Sequence, residues 1–249
     1  MKKIAKRIAE VLGYELKRKN INDIFFIRQS FEEALRHIRS TGYLPDLIID
    51  VGTADGTPPL QNVFSDSIFF WIEPLKEFEN ALKGLQQKFN GRYIITGVGN
   101  TEGSFVINVH NDLHGSTMFN ESDGNSSDGE PREIPVTTLN KLCAEYNWKQ
   151  FNKILLKVDV QGFEVEVLKG AHDALTNVDV IILEVSLFRF LKKSPDFFDV
   201  ITYMKGLGYV VYDIVDGINR PLDHALGQKD LVFVKENGFF RKSHRWTKE

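Results

Sequence analysis

The stretch KILLKVDVQGFEVEVLKGAHDAL, residues 153–175, decides the fold. Ile154, Leu155, Leu156 and Val158 form a short apolar run, the pattern of a strand buried on both faces. The run closes at Asp159, and Gln161 and Gly162 make a polar turn before Phe163, Val167 and Leu168 face inward from a helix that runs on towards Leu175. A buried strand passing through a tight turn into an amphipathic helix is the repeating unit of a parallel sheet. The next apolar run, DVIILEV (179–185), carries Glu184 towards its C-terminal end.

Upstream, DLIIDVG (46–52) and SIFFWIEP (67–74) read as two further buried strands, ending in Asp50 and Glu73. Between them and RYIITGVG (92–99), a third strand, the stripe of Phe78, Leu82 and Leu85 marks a crossover helix. GSFVINVH (103–110) alternates as a fourth strand. Residues 111–131 are rich in Asn, Asp, Gly, Ser and Glu and read as a loop or lid without regular structure. REIPVTTLNKLCAEY (132–146) is a short strand leading into a helix capped by Thr137 or Thr138. After a helix around 196–205, GYVVYDIV and KDLVFVKE close the chain as an antiparallel hairpin. Two amphipathic helices, over Ile4–Leu12 and Phe31–Ile38, precede all of this. The expected organisation is a helical extension over 1–40, packed on a single α/β domain over 41–249 that has helices on both faces of a mostly parallel sheet and a polar loop at 111–131.

Composition bounds the function. With 42% hydrophobic and 26% charged residues, the 249-residue chain is neither collagen-like, coiled coil nor wholly disordered. The 31 basic and 34 acidic residues leave no global positive field, so nucleic acid is not an expected partner. Cys143 is the single cysteine, which excludes an intrachain disulfide and a cysteine zinc site and fits a reducing compartment. Lys6 and Arg7 interrupt the apolar run near the start, and no apolar stretch approaches the roughly 18 residues of a membrane span. A cytoplasmic protein without a transmembrane segment is expected. Basic residues cluster near both ends, between Lys2 and Lys19 and again at Arg241, Lys242 and Arg245, as solubilising tails or a surface for an anionic partner.

Four carboxylates, Asp50, Glu73, Asp159 and Glu184, stand at or near the C-terminal ends of apolar strands, where an open parallel sheet forms its ligand crevice. Gly52 and Gly56 allow a tight turn and a close approach after the first strand. Glu73, 21 residues beyond Gly52, stands where a carboxylate accepts hydrogen bonds from ribose hydroxyls. The dinucleotide fingerprint GxGxxG and the phosphate-loop signature are both absent from the sequence. Asp50 and Asp55 in the early turn would repel a pyrophosphate. They favour a cationic or zwitterionic adenosyl ligand such as S-adenosyl-L-methionine. A nicotinamide-dependent oxidoreductase and a noncatalytic nucleotide-binding α/β domain remain the alternatives.

Asp159 is the candidate to orient or deprotonate an acceptor hydroxyl, with Glu184 assisting or holding a cation. His110 and His114, which border the polar loop, are further candidate bases, and Ser116 and Thr117 a flexible substrate edge. Lys157 shares the face of Asp159 and either neutralises it or meets an acidic acceptor. The mix of His and acidic residues leaves room for a divalent cation, although no defined metal motif is present. Trp71 and Phe70 border the adenine or belong to the core.

In LIIDVGTADG, FFWIEP, VTTLNKL, ILLKVDVQGFEVEVLKGA and VDVIILEV, in that order, the chain resembles the FkbM family of S-adenosylmethionine-dependent methyltransferases. The resemblance implies a Rossmann-like class I methyltransferase that methylates hydroxyls of sugars, glycans or natural products. It also implies that Asp50, Gly52 and Gly56 form the first cofactor loop, that Glu73 meets the ribose, and that Gly97, Val98, Gly99 and Asn100 approach the adenine. Gln161 stands where the family commonly carries Glu, which removes one charged group from the strongest motif.

Overall fold

The apolar runs become strands because each has β-branched or aromatic residues bounded by turn formers, and each is long enough to cross a sheet. In the computed structural model, which describes residues 27–120 and 129–247, they are β1 (Leu47–Val51), β2 (Ile68–Glu73), β3 (Gly91–Ile95), β7 (Ile154–Val158) and β8 (Val178–Ser186). All five run parallel. The C-terminal hairpin, β9 (Tyr209–Asn219) and β10 (Leu226–Lys235), adds two antiparallel strands to give the order β3-β2-β1-β7-β8-β10-β9. Strand order reverses between β1 and β7, so the C-terminal ends of β2, β1, β7 and β8 border the crevice of a Rossmann-like sheet.

Both faces of this sheet are covered. On one, α1 (Phe31–Ser40), α2 (Pro58–Val63) and α3 (Glu79–Lys88) bury Leu35, Leu60 and Leu82 against Ile48, Trp71 and Leu155. On the other, α4 (Leu139–Glu145), α5 (Glu164–Lys169) and α6 (Phe197–Gly206) bury Leu142, Val167 and Met204 against Ile49, Leu156 and Leu183. Ser30 and Glu33 form a capping box at the start of α1, and Thr138 accepts from the Lys141 amide at the start of α4. Trp71 and Phe70 are core residues, Trp71 stacked on Phe69 and Phe70 against Tyr146 and Trp148. Cys143 is buried.

Three sequence expectations change. RYIITGVG is not one strand: it breaks at Thr96, and Gly97–Val98 (β4) leaves the main sheet to pair with β6 (Glu130–Thr137). The break is fixed because Thr96 donates its amide to the Glu73 carbonyl and its hydroxyl to the Pro135 carbonyl. β5 (Gly103–Val109) pairs antiparallel with β6, giving a second, three-stranded sheet with its own small core of Leu75, Phe78, Ile107, Val109, Ile134 and Val136. The loop expected over 111–131 is therefore shorter, since β6 begins at Glu130 and Thr117 bridges back to Asn108. The helix read through to Leu175 stops at Lys169, where a Cβ on Gly170 would meet the Gly99 carbonyl at 2.1 Å; a short 3-10 turn follows at Ala174–Asn177. The helix expected at Ile4–Leu12, the basic residues up to Lys19 and the centre of the polar loop lie outside the described residues. Among the described residues no helix is long and apolar enough to cross a membrane.

Candidate functional site

A cleft opens to solvent where the strand ends meet the small sheet. Gly52 and Glu73 line it from β1 and β2, Val98 and Ile107 from the small sheet, Asp159 and Gln161 from the turn after β7.

The loop after β1 takes an unusual course, with φ of +73° at Gly52, +48° at Ala54 and +115° at Gly56. Gly52 is required: a Cβ there would lie 1.8 Å from the Asp159 carbonyl oxygen. Gly52→Ala is expected to destabilise the fold by about 2 kcal/mol or more through steric overlap and a strained φ. A thermal melt checks this, and a variant melting with the wild type would contradict such tight apposition of the two loops. The loop is also tied to Glu73, whose carboxylate accepts the amide of Ala54 at 2.9 Å on one oxygen and that of Leu75 at 2.9 Å on the other. Glu73 is only 4% exposed, and burial raises its pKa to about 7 against the pull of those two amides. A carboxylate has about four acceptor positions, so Glu73 retains capacity for two ribose hydroxyls. A carboxylate with free lone pairs and the apolar wall of Val98, Met118 and Phe163 together suit an adenosyl group.

The other end of the cleft is a buried polar network. Lys157, 7% exposed, donates to Asp159 at 3.0 Å and stands 3.9 Å from the fully buried Asp50. Burial works against its ammonium, but the charges of Asp159 and Asp50 outweigh it and hold the pKa above the ordinary lysine value. The Gln161 amide donates to Asp159 Oδ1 and to Glu184 Oε2, both at 3.1 Å, and Gln228 donates to the same Glu184 oxygen at 2.9 Å. Burial, then the charges of Asp159, Glu164 and Asp230, push the Glu184 carboxyl up to about 8. Burial likewise raises Asp230 to about 6 and Glu164 to about 7. Glu164 accepts the amides of Val160 and Gly162 at 3.1 Å each and so fixes the turn.

The structure thus brings Gly52, Glu73, Gly97, Val98, His114, Ser116, Thr117 and Asp159 to one cleft. Asp50 lies behind it, bonded to Thr53 at 2.8 Å, and Asp55 is exposed. Gly56 packs on Leu85, Gly99 lies against Phe163, and Asn100 bonds Glu166 at the surface. Glu184 lines a second cleft with Asp216, Lys229 and Asp230, joined to the first through Gln161. Lys157 has its charge committed to carboxylates. His110 does not line the main cleft, and its buried Nε2 is without a hydrogen-bond partner, whereas the His114 ring leans on Phe78 at its rim. Among the described residues no group of three or more His, Cys, Asp or Glu is arranged to hold a metal ion.

Gln228 and Asp230 escaped the sequence reading because they reach the site only through the β8–β10 pairing, which sets Asp230 opposite Glu184. Ala54 escaped it because nothing in its side chain signals a left-handed backbone. The sequence suggests a flexible edge at Thr117. It is in fact buried, its hydroxyl donating to the Gln161 carbonyl at 2.7 Å.

The methyltransferase FkbM domain family matches residues 50–211 of the chain. No curated protein matches the sequence. Among solved structures, the 1,6-didemethyltoxoflavin-N1-methyltransferase of Burkholderia thailandensis is similar at 9% identity over 82% of this chain and 77% of its own, with a TM-score of 0.45. An S-adenosylmethionine-dependent methyltransferase from Clostridium acetobutylicum is similar at 9% identity over 94% and 98%, with a TM-score of 0.43. The precorrin-6y C5,15-methyltransferase of Geobacter metallireducens is similar at 10% identity over 86% and 95%, with a TM-score of 0.41.

Proposed function

We propose, because the chain belongs to the FkbM methyltransferase family, that it moves the methyl group of S-adenosyl-L-methionine to a hydroxyl of a sugar, glycan or natural product. One observation carries this reading: a single cleft has a buried carboxylate at the end of β2 and a second, fixed carboxylate at the end of β7, with β1 between them. Two strand spacings separate the two, about 10 Å, which suits holding a nucleoside at one side and working on an acceptor at the other.

Glu73 would accept the ribose hydroxyls, and the Gly52–Gly56 loop would lay its backbone along the ligand. Val98, Met118 and Phe163 would enclose the adenine. When bound, S-adenosyl-L-methionine supplies a methyl group activated by its sulfonium charge. Asp159 would receive the acceptor hydroxyl: as the acceptor oxygen forms its bond to the methyl carbon and the carbon–sulfur bond breaks, the hydroxyl proton passes to the carboxylate. Lys157 and Gln161 would keep that carboxylate in one orientation, which supports positioning as the larger part of the rate. The acidic surroundings favour a cationic ligand and disfavour a diphosphate.

Titration calorimetry with S-adenosyl-L-methionine, S-adenosylhomocysteine, NAD and ATP tests the reading. Saturable binding of the first two, and of neither diphosphate-bearing ligand, is the expected result. Binding of NAD without either adenosyl ligand would overturn it in favour of a nicotinamide-dependent oxidoreductase.

A further inference from the structure

Gln161 is held in place from three directions. Its backbone lies in the left-handed region at φ +52°, ahead of Gly162 at +92°. Its carbonyl accepts the buried Thr117 hydroxyl at 2.7 Å. Its side-chain nitrogen donates one N–H to Asp159 and the other to Glu184, both at 3.1 Å, so the amide spans the two carboxylates. Each carboxylate is anchored on its far side as well, Asp159 by Lys157 at 3.0 Å and Glu184 by Gln228 at 2.9 Å. The result is an unbroken chain of contacts, Lys157–Asp159–Gln161–Glu184–Gln228, running from β7 across β8 to β10. A non-glycine residue in this backbone region is a local cost that persists only where the surroundings impose it, and such positions cluster at functional sites.

We propose that Gln161 is the positioning residue of the methyl-transfer site: its amide locks Asp159 and Glu184 into one hydrogen-bonded unit whose Asp159 end lines the acceptor cleft. This rests on the reading of the cleft given above. A primary amide suits the task. Its two N–H groups satisfy two acceptors at a fixed angle without adding charge, so it brings the carboxylates together while leaving their mutual repulsion in force. A glutamate at this position would offer no donors and would set a third carboxylate between the first two. The methyl transfer would then depend on Gln161 without Gln161 touching any bond that is made or broken.

Two substitutions separate the bridge from the turn. Gln161→Gly accepts the left-handed backbone and lacks the amide. Gln161→Asn tolerates the same backbone and keeps the amide, but is one methylene too short to reach both carboxylates. The Glu184 side-chain carboxyl is followed by ¹³C NMR against pH in the full chain, and S-adenosylhomocysteine binding is measured on the same samples by calorimetry. In both variants the Glu184 midpoint should move up by about half a pH unit or more as the bridging donor is lost, while S-adenosylhomocysteine affinity stays within about twofold, the scatter of an interaction not made. A Glu184 titration unchanged in both variants would overturn the proposal, because Gln161 would then be a turn residue only. Failure of S-adenosylhomocysteine to bind the wild type strikes at the function of the cleft instead, and the titration curves tell the two failures apart.

Discussion

Asp159→Asn is expected to slow methyl transfer by about 10²-fold or more at saturating S-adenosyl-L-methionine and acceptor, the usual contribution of a positioned general base. The substitution keeps the shape of the side chain and removes its charge and basicity. It also removes the nearer partner of Lys157, whose ammonium is buried and would then depend on Asp50 at 3.9 Å. Removing one member of a buried ion pair is costly, so a lower melting temperature should accompany the loss of rate. The double variant Lys157→Met with Asp159→Asn resolves the two effects. It removes the stranded charge and should recover much of the melting temperature without recovering turnover. Initial rates, measured well below either melting temperature with any acceptor the wild type methylates, make the comparison. Parental turnover in a folded Asp159→Asn protein would move the base to His114, which lines the same cleft.

Glu73→Gln is expected to weaken S-adenosylhomocysteine binding about 10- to 150-fold, the worth of a charge-assisted hydrogen bond. The pH dependence gives a second, independent readout. Burial raises the pKa of this carboxyl from about 4.5 to about 7 in the folded protein. The stability it contributes is therefore present below the unfolded pKa and is lost as pH rises through about 7, where a proton must leave a buried group. Binding runs the opposite way, because the ionised form is the stronger acceptor for ribose hydroxyls. Wild-type affinity should rise between pH 6 and pH 8, and the variant should lose that slope. A wild-type affinity that is flat or falls across this range would remove Glu73 from the binding site.

Much of the sheet was legible because parallel strands buried on both faces carry continuous apolar runs, which need no partner to be recognised. The carboxylates at their ends were legible for the same reason: Asp50, Glu73, Asp159 and Glu184 interrupt or terminate such runs. What separates them in space was not. Asp50 and Glu73 look alike in sequence, yet the pleat turns Asp50 towards Lys157, its register partner on β7, while Glu73 reaches the cleft. Asp55 and Asn100 share loops with the lining residues and still project to the surface, since a loop's side-chain directions follow its individual dihedrals and no period. The departure of Gly97–Val98 from the main sheet was hidden because the apolar run continues past Thr96 to Val98 with no Pro or charged residue to mark a break. The β9–β10 hairpin was recognisable, but which of its residues stand beside Glu184 is set by the long-range β8–β10 register, which no local pattern encodes.

The three-stranded sheet shares its small core with the main one: Leu75 and Phe78, which follow Glu73 in the chain, pack there with Ile107, Ile134 and Val136. Gly97 closes the joint, since a Cβ there would meet Met118 at 2.9 Å and Val136 at 3.0 Å. Val98, Ile107 and Met118 line the cleft as well. The small sheet is thus a party wall between two rooms, and repacking it is expected to alter donor binding and acceptor choice together.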